Sequence, residues 1–337
     1  MSALTHGGAP FLGAWFLGAS FTGAPDSLWF TLTFACYLLS FLAFVLYGAT
    51  KRAPMARAAT GLIAVGGVLH TVAIAIRWHA SGHVPFANMY EYANIMAWMA
   101  VVSFLFVMWR YNRPILGLYV SPLVVILIVS ASLLPNDVTR QLVPALQSYW
   151  LPIHVVLAAL GEGAFLVATA VSVMYLILAR RREGRAATGA GATGAAHAAP
   201  ATRVRAAAAT AAARAQVAAS PAGGPGAAVL AGEGGVSLDT LDEINYKALS
   251  IGYPLFTVGA LFAGAIWAYE AWGSFWSWDP KEVGALVIWL FYTLFLHARF
   301  NRGWRGRKAA WMSVVGFGMI LLSFFGNIFL GGQHAYG

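Results

Sequence analysis

Long uncharged apolar runs separated by short polar segments set the pattern of this 337-residue chain. Leu28 to Gly48 is 21 residues without a charge, and Trp311 to Gly332 is 22. Each run is long enough to cross a hydrocarbon core of about 30 Å at about 1.5 Å rise per residue. Marking every such run predicts eight spanning helices, at about 28–48, 58–78, 92–109, 114–134, 152–178, 250–270, 282–298 and 311–332. The expected fold is therefore all-α, a polytopic integral membrane helical bundle. Residues 11–22 are apolar but short and Gly-rich, and read as an interfacial segment within the N-terminal stretch 1–27.

Composition agrees: 60% of residues are apolar and 10% are charged, against about 25% charged in soluble domains. So few charges cannot cover a water-facing surface. Eighteen of the 21 Lys and Arg residues fall in loops after spans 1, 3, 5 and 7, among them Lys51, Arg110, Arg180 and Arg305. Only Arg77, Arg140 and Lys281 fall on the alternate side. By the positive-inside rule both termini face outward. The net charge of +9 is thus a topology signal and argues against a nucleic-acid partner. The single cysteine, Cys36, lies within span 1, which excludes an internal disulfide or CxxC site. Met1 to Pro10 carries no Lys or Arg, and the first run is longer than a signal-peptide core, so it reads as a retained helix.

Helices 1–5 occupy 28–178 and helices 6–8 occupy 248–337, joined by a cytoplasmic low-complexity linker over 179–247. Its Ala/Gly/Pro/Thr tract, 183–236, cannot bury a core, and His197 within it reads as solvated. Leu238, Leu241, Ile244, Ala248 and Ile251 then fall at helical spacing and suggest a surface-lying helix leading into span 6. No soluble catalytic domain is evident.

The most informative stretch is AWGSFWSWDPKE, Ala271 to Glu282, between spans 6 and 7. Trp272, Phe275, Trp276 and Trp278 lie within seven residues. An interfacial aromatic belt is the bland explanation. Belt residues are usually scattered over several helix ends, whereas these share one loop and offer a flat apolar platform for a planar aromatic ligand. Asp279 suits the N-cap of span 7, Pro280 its first residue and Glu282 the capping-box partner. Such a cap would hold the Trp loop rigidly.

His154 opens span 5 and His334 follows span 8, both at about the depth of the Trp loop. A lone histidine at a helix end is more often interfacial. Two histidines flanking an aromatic platform fit bis-histidine ligation of haem iron. His297 lies about 24 Å deeper than Lys281, and His70 about 12 Å below the outer surface. Neither reaches the same iron; each is a ligand at a second position or a core histidine. Arg77, Arg140 and Lys281, as the outward cations, are candidate partners for haem propionates. Glu162 lies at i+8 from His154, and a buried glutamate there needs a partner or a proton.

The run Trp272 to Glu282 resembles the tryptophan-rich "WWD" signature of haem-handling proteins, and its Asp-Pro-Lys-Glu ending resembles the CcsA (ResC) family of cytochrome c biogenesis. SGHVPFANMYEY, Ser81 to Tyr92, is similar to a second stretch of that family. The resemblance implies haem held against Trp272, Gly273, Phe275, Trp276 and Trp278 and ligated by His154 and His334. It implies that His297 takes part in accepting haem from inside, often with a histidine of the partner subunit CcsB (ResB). The implied activity is that of a holocytochrome c synthase subunit of the bacterial inner membrane, joining haem vinyl groups to the CxxCH thiols of apocytochrome c. Trp272, Trp276, Trp278 and Asp279 are the expected positions at the reacting edge. A b-type haem electron-transfer subunit is the alternative, and it predicts paired intramembrane histidines. A cofactor-free solute transporter predicts internal repeats, of which none is convincing.

Overall fold

A computed structural model of the chain describes residues 24–138, 140–194 and 236–330, with side chains through 184 and 326 in the last two stretches. Among the described residues, eight helices are long and apolar enough to cross a membrane, and there is no strand. They are α1 (Ser27–Thr50), α2 (Ala53–Ser81), α3 (Met89–Tyr111), α4 (Gly117–Ser132), α5 (Trp150–Gly194), α6 (Leu238–Trp272), α7 (Pro280–Arg302) and α8 (Arg307–Leu330). Each of the eight runs marked in the sequence is a helix, and the chain is an integral membrane protein with eight spans. Successive spans alternate in direction. Loops 82–88, 133–149 and 273–279 therefore share one end, the Trp-loop end, while 51–52, 112–116 and 303–306 share the arginine-rich end. The interfacial segment 11–22 and the tract 195–235 lie outside the described residues.

α5 is the hub. In its apolar stretch 83% of residues are buried, against 22% in α7, because α3, α4, α6 and α8 all pack on it. Lipid tails are as apolar as side chains, so helices associate in membranes by close packing across small residues. A Cβ on Gly161 would lie 2.9 Å from the Gly252 carbonyl oxygen of α6, and one on Gly163 would lie 2.7 Å from the Met99 carbonyl oxygen of α3. Phe165 fills the next layer, stacked on Tyr292 at 4.0 Å and tilted against Phe256 at 5.7 Å.

Two ionic clusters fix the ends. At the Trp-loop end, Arg77 Nε donates to Glu91 Oε1 at 2.7 Å, and Nη1 faces Asp26 at 3.5 Å. Its Nη2 donates to the carbonyls of Asn136 and Asp137 at 3.1 and 2.8 Å. Arg77, Glu91 and Asp26 are all buried, which charges tolerate only when paired. The cluster ties α1, α2, α3 and the loop before α5 together. At the other end, Arg299 makes two parallel bonds to Asp242, at 2.8 and 2.7 Å, clamping α6 to α7.

One expectation is corrected. The segment from Leu238 is not a separate surface-lying helix: it runs unbroken through α6 for 35 residues. Leu241, Ile244 and Ala248 are buried in the core, where α6 packs along α5. An apolar stripe at helical spacing serves a neighbouring helix as well as a membrane surface.

Candidate functional site

Residues Thr257–Ala263 of α6 are π-helical, and the Gly264 N–H reaches back five residues to the Gly259 carbonyl. Such a widened turn inside an α-helix is uncommon and is frequent at functional sites. The same carbonyl accepts a second hydrogen bond, from His154 Nδ1 of α5, at 2.9 Å. A carbonyl can only accept, so Nδ1 carries the proton and Nε2 keeps its lone pair. Trp267 stacks on the imidazole, 5.8 Å between centroids and 3° from parallel, and its Nε1 donates to the Ala145 carbonyl at 2.9 Å. Glycines permit this approach. A Cβ on Gly259 would collide with the Ala158 backbone nitrogen, and one on Gly264 would lie 3.0 Å from His154 Nδ1. α6 thus fixes the position, plane and tautomer of His154.

His154 lines a cavity of about 80 Å³ between α3, α5, α6, α7 and α8. Trp267, Phe275, Trp276 and Phe324 give it aromatic walls, and Tyr92, Glu162, Lys281 and Glu282 supply its polar groups. The Tyr92 hydroxyl donates to Glu162 Oε2 at 2.8 Å, while Lys281 Nζ lies 4.8 Å from the centre of the Tyr92 ring. The buried carboxylate therefore has a hydrogen bond, with a cation on the same tyrosine. A smaller cavity of about 40 Å³, also lined by His154 and Trp267, is walled by Phe86, Ala87, Asn88 and Met89. The Ser81–Tyr92 motif thereby meets the same histidine as the Trp loop.

The Trp loop is held from below. Asp279 Oδ1 accepts from the Lys281 N–H at 3.0 Å, and Glu282 Oε2 accepts from the N–H groups of Asp279 at 3.2 Å and Ser277 at 2.8 Å. This is the capping box expected from the sequence. Glu282 Oε1 is buried and has no partner among the described residues. Trp278 has φ +60°, a left-handed conformation that costs about 1–3 kcal/mol outside glycine. Its exposed ring meets Trp276 edge to face at 5.8 Å.

Of the residues singled out in the sequence, His154, Glu162, Phe275, Trp276 and Lys281 come together at the cavity beneath the Trp loop. Trp272 packs edge-on behind Trp267 at 4.8 Å. Gly273, at φ +77°, ends α6. With Trp278 and Asp279 they shape the loop without lining the cavity. Nor does Arg77 line it, its guanidinium being committed to Glu91 and two carbonyls. His70 is buried on α2, its Nδ1 3.2 Å from the Tyr37 hydroxyl and its Nε2 without a partner among the described residues. His297 sits on the exposed face of α7, 2.9 Å from Asn301 Nδ2. α2 and α7 share no packed interface, so these two histidines do not form a pair. His334 lies outside the described residues. Trp267, Gly259 and Phe324 are additions. An aromatic or glycine inside a span reads as packing, and nothing local sets these apart.

Residues 86–334 match the cytochrome C assembly protein family. The cytochrome c biogenesis protein CcsA of Synechococcus elongatus is 33% identical over 290 residues, covering 82% of this chain and 86% of its own. That of Synechococcus sp. (strain CC9605) is 35% identical over 321 residues, covering 93% and 98%. The chain belongs to the CcsA family of cytochrome c biogenesis proteins. The family match opens at Phe86, in the loop beside His154 and Trp267, and closes at His334. Among solved structures, the cytochrome c heme lyase CcmF superposes with a TM-score of 0.60 at 17% identity, over 89% of this CcsA-family chain and 46% of that one. That likeness is one of fold, and this chain spans less than half of that protein's length.

Proposed function

We propose that this CcsA-family chain holds haem in the cavity beneath the Trp loop and presents it for covalent attachment to apocytochrome c. The observation that carries the reading is His154, pinned through Nδ1 to the Gly259 carbonyl at 2.9 Å and stacked on Trp267. Iron takes a neutral imidazole nitrogen, and Nε2 is the one left for it. A carbonyl behind the other nitrogen is the support that orients metal-binding histidines. His334 would supply the second histidine to hold the iron. Lys281, which shares the cavity with the Tyr92–Glu162 pair, pairs with a haem carboxylate. Trp276 and Phe275 orient the ring and shed water from its face.

Haem supplies two vinyl groups, and the acceptor supplies the two thiols of CxxCH. Each S–H adds across a vinyl C=C, so no group leaves and no oxidant is consumed. The work of this chain is positioning. The CxxCH histidine displaces one protein ligand and loosens the product. The chain acts as a haem lyase only in complex with a CcsB-like subunit, in the bacterial inner membrane. Its Trp-loop end faces outward because the basic loops hold the other end inside. His297, on the exposed face of α7, takes part in accepting haem from that side with a histidine of the partner.

Co-expression with the partner and a CxxCH cytochrome tests this through the yield of covalently bound haem. His154→Ala is expected to reduce the yield to background, and Trp276→Ala to keep bound haem while losing attachment. Normal maturation by a variant with Trp272, Trp276 and Trp278 all changed to Ala would remove the platform from the account.

A further inference from the structure

A further concave site lies on another face of α5. Leu160, Ala164 and Val167 form the floor of a groove of about 410 Å³ between α3 and α6. They follow a different stripe of the helix from His154, Ala158 and Glu162, which line the cavity beneath the Trp loop. Phe106 of α3 and Ile251 of α6, both about half exposed, form the lips. Two cations stand at the arginine-rich end of the groove: Arg110 from α3 and Lys247 from α6. They converge on one ring, at 5.5 and 6.0 Å from the centre of Tyr111. Lys247 also pairs with Glu243, one turn back, at 2.5 Å. From Arg110 to Val102, and from Lys247 to Leu255, the groove runs eight residues, about 12 Å, with no further charge on its walls.

We infer that this groove binds an anionic phospholipid, its acyl chain lying between α3 and α6 and its phosphate between Arg110 and Lys247. Charge complementarity selects that occupant. A long apolar trough with cations only at its mouth matches a tail and a negative headgroup, and basic pockets between spanning helices bind such headgroups. A zwitterionic lipid fills the trough equally well but brings no net charge to the two cations. The phosphate competes with Glu243 for Lys247. The bound lipid braces α3 against α6, the two helices that carry Tyr92 and Gly259 to the other cavity.

Native mass spectrometry of the complex tests this, after equilibration with phosphatidylglycerol or phosphatidylcholine of identical chains. Wild type is expected to retain phosphatidylglycerol severalfold over phosphatidylcholine. Arg110→Gln with Lys247→Gln is expected to abolish that preference, and Glu243→Gln to increase it by freeing Lys247. Ser103→Trp fills the trough without touching a charge, and is expected to reduce retention of both lipids. Equal retention of the two lipids by wild type would overturn the inference. So would a preference that survives loss of both cations. A fall in bound haem with unchanged lipid in the double variant would make the groove a haem site instead.

Discussion

His154 of α5 and Gly259 of α6 are joined by a single hydrogen bond of 2.9 Å, from imidazole Nδ1 to a backbone carbonyl. That carbonyl also accepts the i→i+5 bond of a π-helical turn. The tautomer of the key histidine is therefore set by main chain. Whatever sets the separation of α5 and α6 also sets the availability of Nε2.

Gly264→Val tests that coupling, because a Cβ at this position already lies 3.0 Å from Nδ1. The ring must move and its bond to Gly259 lengthen. Loss of such support costs about 10–100-fold in metal affinity. Haem titration of the purified complex is expected to show a loss in that range, with helical content unchanged. Wild-type affinity would detach the π-helical turn from haem binding.

Lys281 is the cation in the wall of the cavity beneath the Trp loop. Lys281→Gln is expected to weaken haem binding about tenfold, roughly one charge-assisted bond. Haem dimethyl ester, which lacks the carboxylates, is expected to bind wild type and variant alike. An equal loss for both ligands would assign Lys281 a packing role.

Much of this was legible in the sequence. Uncharged runs located all eight helices, because a bilayer demands length and low charge whatever the packing. Asp279, Pro280 and Glu282 form the expected cap because that motif is local. His154 lines one cavity with Trp276 of the Trp loop, but its partner Gly259 lies 105 residues away and carries no signature of a π-helical turn. Arg77 read as an outward cation because its counter-charges, Asp26 and Glu91, are 51 and 14 residues distant. The stripe from Leu238 to Ile251 was ambiguous in principle, since one amphipathic pattern fits either a membrane surface or a neighbour such as α5.

Trp278 combines an exposed ring with a left-handed backbone. Trp278→Gly removes ring and strain together, whereas Trp278→Ala removes only the ring. The glycine variant is expected to be more stable than the alanine variant by about 1 kcal/mol in denaturation. If the ring orients haem, holocytochrome yield falls equally in both. Recovery of yield with glycine alone would assign the effect to the backbone.

Arg77→Gln leaves Glu91 and Asp26 buried without their guanidinium, at a cost of about 3–5 kcal/mol. Unfolding in detergent reads this, and the Arg77→Gln/Glu91→Gln double variant is expected to recover part of it. Haem affinity per folded molecule is expected to stay at the wild-type value, since Arg77 does not line the cavity. A selective loss of affinity would bring Arg77 to the propionates.

The most direct test of haem ligation is the absorption spectrum of the complex purified with its CcsB-like partner, for wild type, His154→Ala and His334→Ala. The account predicts a low-spin bis-histidine spectrum in wild type, lost or converted in both variants. A wild-type spectrum that persists in His154→Ala would contradict it and move the iron away from the cavity beneath the Trp loop.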